Sequence, residues 1–189
     1  MKPGLKACLA ILAVLYPLAV GFGLKWFEPR WIALCLVLLA LARLALGARD
    51  RLAVLGAGVA GFVAAWTWLG NHPLALKLYP VLVSLGFLAA FAWSLAYPPT
   101  MIERLARLAE PDLPDAALPY VRRVTQVWCG FFLINAAIAL WTALAASDAI
   151  WTLYNGCLSY IAIGLLFAGE WLVRRRVKRR IAAEAVTGA

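Results

Sequence analysis

Charge is scarce in this chain. Of its 189 residues 14% are Asp, Glu, Lys or Arg, nine of these are acidic, and there is a single histidine, His72. Set against a hydrophobic share of 65%, so little charge excludes an ordinary soluble domain, in which about 25% of residues are charged. Long polar stretches are missing too. Apolar runs recur from one end to the other with short breaks between them, which points to one membrane domain and leaves no room for a separate soluble enzyme domain. Cysteine offers no framework either: Cys8, Cys35, Cys129 and Cys157 lie inside apolar segments with no C-x-x-C spacing and no neighbouring histidine, so packing or lipid contact is their expected role. No Walker, H-E-x-x-H or G-x-S-x-G pattern occurs, and no nucleophile, base and orienting group can be assembled by spacing. The expectation is therefore no metal, no cofactor and no assignable catalytic residue.

What is present is an all-α pattern. Taking about 20 apolar residues to cross a bilayer, the sequence reads as a polytopic helix bundle with six spans, at 5–24, 31–47, 52–69, 75–96, 122–146 and 150–172. A cytoplasmic loop occupies 97–121 and a basic tail 174–189. The second and third spans are short and reach only about 26 Å, so they need a thinned bilayer or snorkelling ends, for which Arg43 is well placed. The first is read as a retained helix rather than a secretory signal, because its apolar run is long and no Ala-x-Ala site follows it.

The net charge of +9 does not indicate a nucleic-acid partner, since the basic residues stand at the ends of apolar runs rather than on a water-exposed face. They indicate orientation instead. Lys and Arg are retained on the cytoplasmic side, and the run Arg174, Arg175, Arg176, Lys178, Arg179, Arg180 sets the tail inside. Counting back through six spans places 15 basic residues inside and leaves 3, Lys25, Arg30 and Lys77, outside. Both termini are then cytoplasmic, with membrane lipids as the expected partners. The nine tryptophans suit interfacial belts, with Trp26, Trp31 and Trp151 near expected boundaries.

Leu15-Tyr16-Pro17 with Gly21 and Phe22 in the first span parallels Leu78-Tyr79-Pro80 with Gly86 and Phe87 in the fourth. Those spans run in opposite directions, which raises two inverted three-helix halves, an arrangement of many transporters, against a chance match of a tripeptide.

The loop carries the strongest local signal. Pro98 and Pro99 end the fourth span, and Thr100 with Glu103 has capping-box spacing. Together they predict a helix from Met101 to about Ala109. Met101, Ile102, Leu105, Leu108 and Ala109 fall on one face and Glu103, Arg104 and Arg107 elsewhere, so the helix should lie along the membrane surface. There it either docks lipid headgroups or an acidic carrier protein, or simply joins two spans. Pro111, Pro114 and Pro119 should keep the following stretch extended, with Asp112 and Asp115 solvated. Inside the spans, Asn135 and Asn155 should face other helices as hydrogen-bonding residues. Tyr154, Asn155, Ser159 and Tyr160 form a denser polar group that serves either close packing around Gly156 or a pocket. Glu170 is expected to pair with one of Arg174–Arg176, with proton coupling as the sharper alternative.

The stretch Tyr97-Pro98-Pro99-Thr100-Met101-Ile102-Glu103-Arg104-Leu105-Ala106-Arg107, then Arg122-Arg123-Val124-Thr125 and Trp128, resembles a family of small bacterial inner-membrane proteins. Trp151, Leu153-Tyr154-Asn155-Gly156, Leu158-Ser159-Tyr160, Gly164, Phe167 and Glu170 continue the resemblance. Members of that family are typically encoded among genes for aryl-polyene or xanthomonadin-like pigment lipids, beside acyl carrier proteins and ketosynthases. The resemblance implies an accessory role in polyene or fatty-acyl lipid biosynthesis, with acyl carrier protein or synthase subunits as partners. It covers essentially the whole chain and is distinctive from about Tyr97 onward. This chain departs from it where Asn135 is followed by Ala136 rather than glycine. Two rival readings stand beside it: a small transporter built from the inverted halves, and a membrane acyl-modifying enzyme using Tyr97, Glu103 and Arg104. A homo-oligomer is compatible with all three.

Overall fold

A computed structural model describes residues 16–23, 26–45, 51–70 and 73–187. Most of the first expected span lies outside these residues, as do Lys2, Lys6, Cys8, Lys25, Arg49, Asn71 and His72, and Arg43 is described only as part of a helix. All regular elements among the described residues are helical. In chain order they are α1 (Tyr16–Gly23), α2 (Pro29–Ala45), α3 (Arg51–Gly70), α4 (Pro73–Lys77), α5 (Tyr79–Ala96), α6 (Met101–Ala109), a single 3₁₀ turn (Asp115–Ala117), α7 (Leu118–Ala145), α8 (Asp148–Leu153), a π turn (Tyr154–Leu158) and α9 (Ser159–Thr187). Among the described residues three helical stretches are long and apolar enough to cross a membrane, Pro73–Ala96, Asp115–Ala145 and Asp148–Arg180. The apolar parts of α2 and α3 are shorter, Pro29–Ala42 and Ala57–Gly70.

Several boundaries differ from expectation for local reasons. The fourth span is interrupted at Leu78, because Pro80 has no amide to reach back four residues and its ring crowds the carbonyl there. Pro119 does not prolong the loop: it sits in the first turn of α7, where a missing amide costs nothing. That helix therefore starts at Leu118 rather than 122, and Asp115 opens a 3₁₀ turn instead of an extended stretch. The basic tail is a direct continuation of α9 to Thr187; Arg, Lys and Ala are good helix formers and no Gly or Pro intervenes after Gly169.

The chain forms two compact units, Met1–Gly86 with Asn135–Tyr160 and Phe87–Ile134 with Ile161–Ala189. The division does not fall between the third and fourth spans, where inverted halves would meet. In the first unit a core of Val20, Ala33, Leu36, Ala60, Val63, Leu76, Ala143 and Trp151 is buried. Trp151 is fully enclosed and donates from Nε1 to the Lys77 carbonyl at 3.2 Å, so it is a core residue and not an interfacial one. Trp26 and Trp31 are exposed. At Gly21 the backbone lies so close to α8 that a Cβ would stand 1.9 Å from Thr152 Oγ1; small residues permit such approaches between helices.

The second unit is built on aromatic rings. Phe91, Trp128 and Phe132 are buried together; the Phe91 and Phe132 rings meet edge to face at 5.2 Å, and Trp128 lies 5.6 Å from Phe132 and 4.7 Å from Phe167. Along α9, Ile161, Leu165, Leu172 and Val173 are exposed, an apolar surface suited to lipid and costly in water.

Candidate functional site

The loop helix forms as its sequence dictates. Thr100 Oγ1 accepts from the Glu103 amide and Glu103 Oε2 accepts from the Thr100 amide, each at 3.3 Å, closing the capping box. The next orphan amide, that of Met101, donates to Ser94 Oγ at 2.9 Å, which ties α6 to the end of α5. Glu103 Oε1 also accepts from Arg107, with 3.0 Å between the charged groups. Arg104 Nε donates to the Pro99 carbonyl at 2.9 Å, and the Tyr97 ring packs on Trp93 at 4.4 Å. Tyr97, Thr100, Glu103 and Arg104 are thus engaged in holding the loop and the helix start. Met101 and Ile102 pack on the aromatic core and Ala106 is buried, whereas Leu105 and Leu108 are exposed.

Beneath α6 the second unit has a partly open cavity of about 160 Å³. Its apolar wall includes Ile102, Leu105, Val124, Trp128 and Phe167, and its polar side is made by Tyr120, Glu170, Arg174 and Lys178. Glu170 makes no ion pair with Arg174–Arg176; its Oε1 accepts from the Tyr120 hydroxyl at 3.1 Å, a correction to the expected pairing. The partner of Arg174 and Lys178 is Glu110, just past the end of α6: Lys178 Nζ donates to Glu110 Oε1 and Arg174 stands 3.8 Å from the same oxygen. The hydrogen bond from Lys178 leads in holding the Glu110 carboxyl below its usual range; desolvation opposes it, and the charges of Lys178 and Arg174 add to it.

In the first unit the polar side chains of the helices also find their partners. Asn135 Nδ2 donates to Ser84 Oγ at 2.9 Å and its Oδ1 accepts from the Tyr154 hydroxyl at 3.0 Å. Asn155 Nδ2 reaches Thr142 Oγ1 at 3.3 Å and the Trp151 carbonyl at 3.0 Å, and Ser159 Oγ donates to the Asn155 carbonyl at 3.2 Å. Asn135 with Tyr154, and Asn155 with Ser159, are therefore brought together as interhelical and intrahelical bonding groups. Tyr154–Leu158 is wound as a π turn, with the Ser159 amide reaching back five residues to Tyr154. Such turns accompany functional sites often enough to be noted, yet the hydrogen bonds here already satisfy the buried side chains, and among the described residues no buried side-chain nitrogen or oxygen lacks a partner.

Sequence reasoning passed over Ser84, Glu110, Tyr120 and Thr142, used Lys178 only for orientation, and offered Arg174 to Glu170 rather than to Glu110. The available signal for Glu110 was its position as an acid at the end of a short basic helix, facing a tail rich in cations. Searches against protein-family models, curated proteins and solved structures find no match for the chain.

Proposed function

We propose that this is a six-span inner-membrane protein with both termini in the cytoplasm, serving a polyene or fatty-acyl lipid pathway as a non-catalytic accessory. It holds synthesis enzymes at the membrane or helps pass on their lipid product. The observation that carries this reading is the cavity under α6, apolar along Trp128, Val124 and Phe167 and cationic at Arg174 and Lys178, which has the two-part chemistry of an anionic amphiphile. The exposed Leu105 and Leu108 beside Arg104 and Arg107 suit a helix resting at a lipid surface. Two pairings favour the topology. Lys77 bonds Asp148, both expected outside, and Glu110 bonds Lys178, both expected inside. The resemblance of the Tyr97–Arg107 stretch and of the sixth span supplies the pathway.

Lipid and pigment extracts test it, taken from the native strain, a deletion strain, and the deletion strain carrying the normal gene, Glu103→Gln or Asn155→Ala. Loss of a polyene-type lipid on deletion, restored by the normal gene, is the expected result. Glu103→Gln should restore it poorly if α6 docks a partner, because the capping carboxylate and its charge on Arg107 are weakened together. An unchanged extract on deletion contradicts the reading.

A further inference from the structure

The cavity has a size, a wall and a counter-ion, and together these define an occupant. A space of roughly 150 Å³ holds one six-carbon ring, so about 160 Å³ accommodates the end of one chain. Most of the wall is apolar, Ile102, Leu105, Val124, Trp128 and Phe167, and the one acid in the lining, Glu170, already accepts from the Tyr120 hydroxyl. Arg174 and Lys178 border the same space and share a single carboxylate oxygen of Glu110. Glu110 is a surface side chain at the end of α6, with 42% of it exposed, and it can swing away without unfolding anything. The surrounding segment of α9 adds Arg175, Arg176, Arg179 and Arg180, so positive charge exceeds that of Glu170 and Glu110, and an anion is favoured.

We infer that this cavity binds a single-chain fatty-acyl carboxylate by its carboxylate end, with about six carbons inside and the rest of a longer chain outside, and with Glu110 as the resident counter-ion that the ligand's headgroup replaces on Arg174 and Lys178. The inference rests on the reading of the chain as a component that handles acyl lipids, and names the ligand class of its site. Glu110 makes the site selective: a neutral amphiphile gains nothing from displacing it, and a cationic one is repelled by the two cations.

Equilibrium dialysis of radiolabelled octanoate against the full chain in nanodiscs, with empty nanodiscs subtracted, tests this. Saturable binding of one octanoate per chain is expected, competed by decanoate and not by octylamine or octyl glucoside. Glu110→Gln should tighten it about threefold, and Arg174→Gln with Lys178→Gln should weaken it about tenfold. Ala117→Leu, which fills the cavity from its lining, should weaken it at unchanged helicity. No saturable binding to the normal protein, equal competition by octylamine, or indifference to both the cation pair and Ala117→Leu overturns the site. An unchanged affinity in Glu110→Gln overturns the counter-ion role. The outcome separates from that of the lipid extracts: absent octanoate binding with a lost polyene lipid removes this inference alone, whereas binding with an unchanged extract removes the pathway and leaves the site.

Discussion

Trp128→Ala should lower stability by about 3 kcal/mol, the low end of the range for deleting a buried tryptophan. The residue is 5% exposed and touches Phe91, Phe131, Phe132 and Phe167, with ring centroids between 4.7 and 6.4 Å. In a bilayer the transfer of apolar surface from water contributes little to helix association, since lipid tails are as apolar as the core; what the substitution removes is close packing and ring contacts. Trp128→Phe keeps most of that and should cost about 1 kcal/mol. Unfolding in mixed micelles with increasing dodecyl sulfate, followed by helical circular dichroism, measures both. A loss below about 1 kcal/mol for the alanine variant would mean that the aromatic cluster does not organise the second unit.

Gly21→Ala should be nearly as damaging from the addition of one methyl group. The new Cβ would stand 1.9 Å from Thr152 Oγ1, 2.6 Å from its Cγ2 and 2.8 Å from its Cβ, closer than any real contact, and Thr152 is held in α8 by a 2.7 Å hydrogen bond to the Asp148 carbonyl. Overpacking of this kind costs about 1–3 kcal/mol. Combining it with Thr152→Ala removes the two nearest atoms and should recover at least half of the loss, so the pair should show a coupling of about 1 kcal/mol. At Gly61 nothing lies within 4 Å of an added Cβ, and alanine there should be neutral or slightly stabilising, as expected from helix propensity. Equal effects at the two glycines would contradict the close approach of α1 and α8.

These two expectations could not have come from the sequence, and the reason is the same in each case. Gly21 and Thr152, like Asn135 and Ser84 or Glu110 and Lys178, are far apart in the chain, and which residues meet depends on how helices pack rather than on any local pattern. The helix Met101–Ala109 was legible to its end residues because everything that fixes it is local: two prolines before it, and a threonine and a glutamate three apart that satisfy each other's amides. Helix as the regular structure of the described residues was legible for a related reason, since long apolar runs away from water leave few ways to satisfy backbone groups. Pro119 misled in the opposite direction. Proline interrupts a helix interior but fits its first turn, and nothing in the neighbouring residues says which of these positions it takes. Glu170 was read with the nearest cations along its own helix, whereas the structure gives it the hydroxyl of Tyr120, 50 positions away in the chain, and gives Arg174 to Glu110. The cation and the acid that the sequence would have joined along one helix thus take other partners, and both still line the same cavity.

Reporter fusions decide whether these elements sit in a membrane as proposed. Placed after Asn71 and Asp148, a periplasm-active reporter should be active; placed after Asp112 and after Ala189, only a cytoplasm-active reporter should be. A cytoplasmic signal at either of the first two positions would contradict six spans, and a periplasmic signal at Asp112 would put the cavity and its cations on the wrong side for an acyl chain delivered by cytoplasmic enzymes.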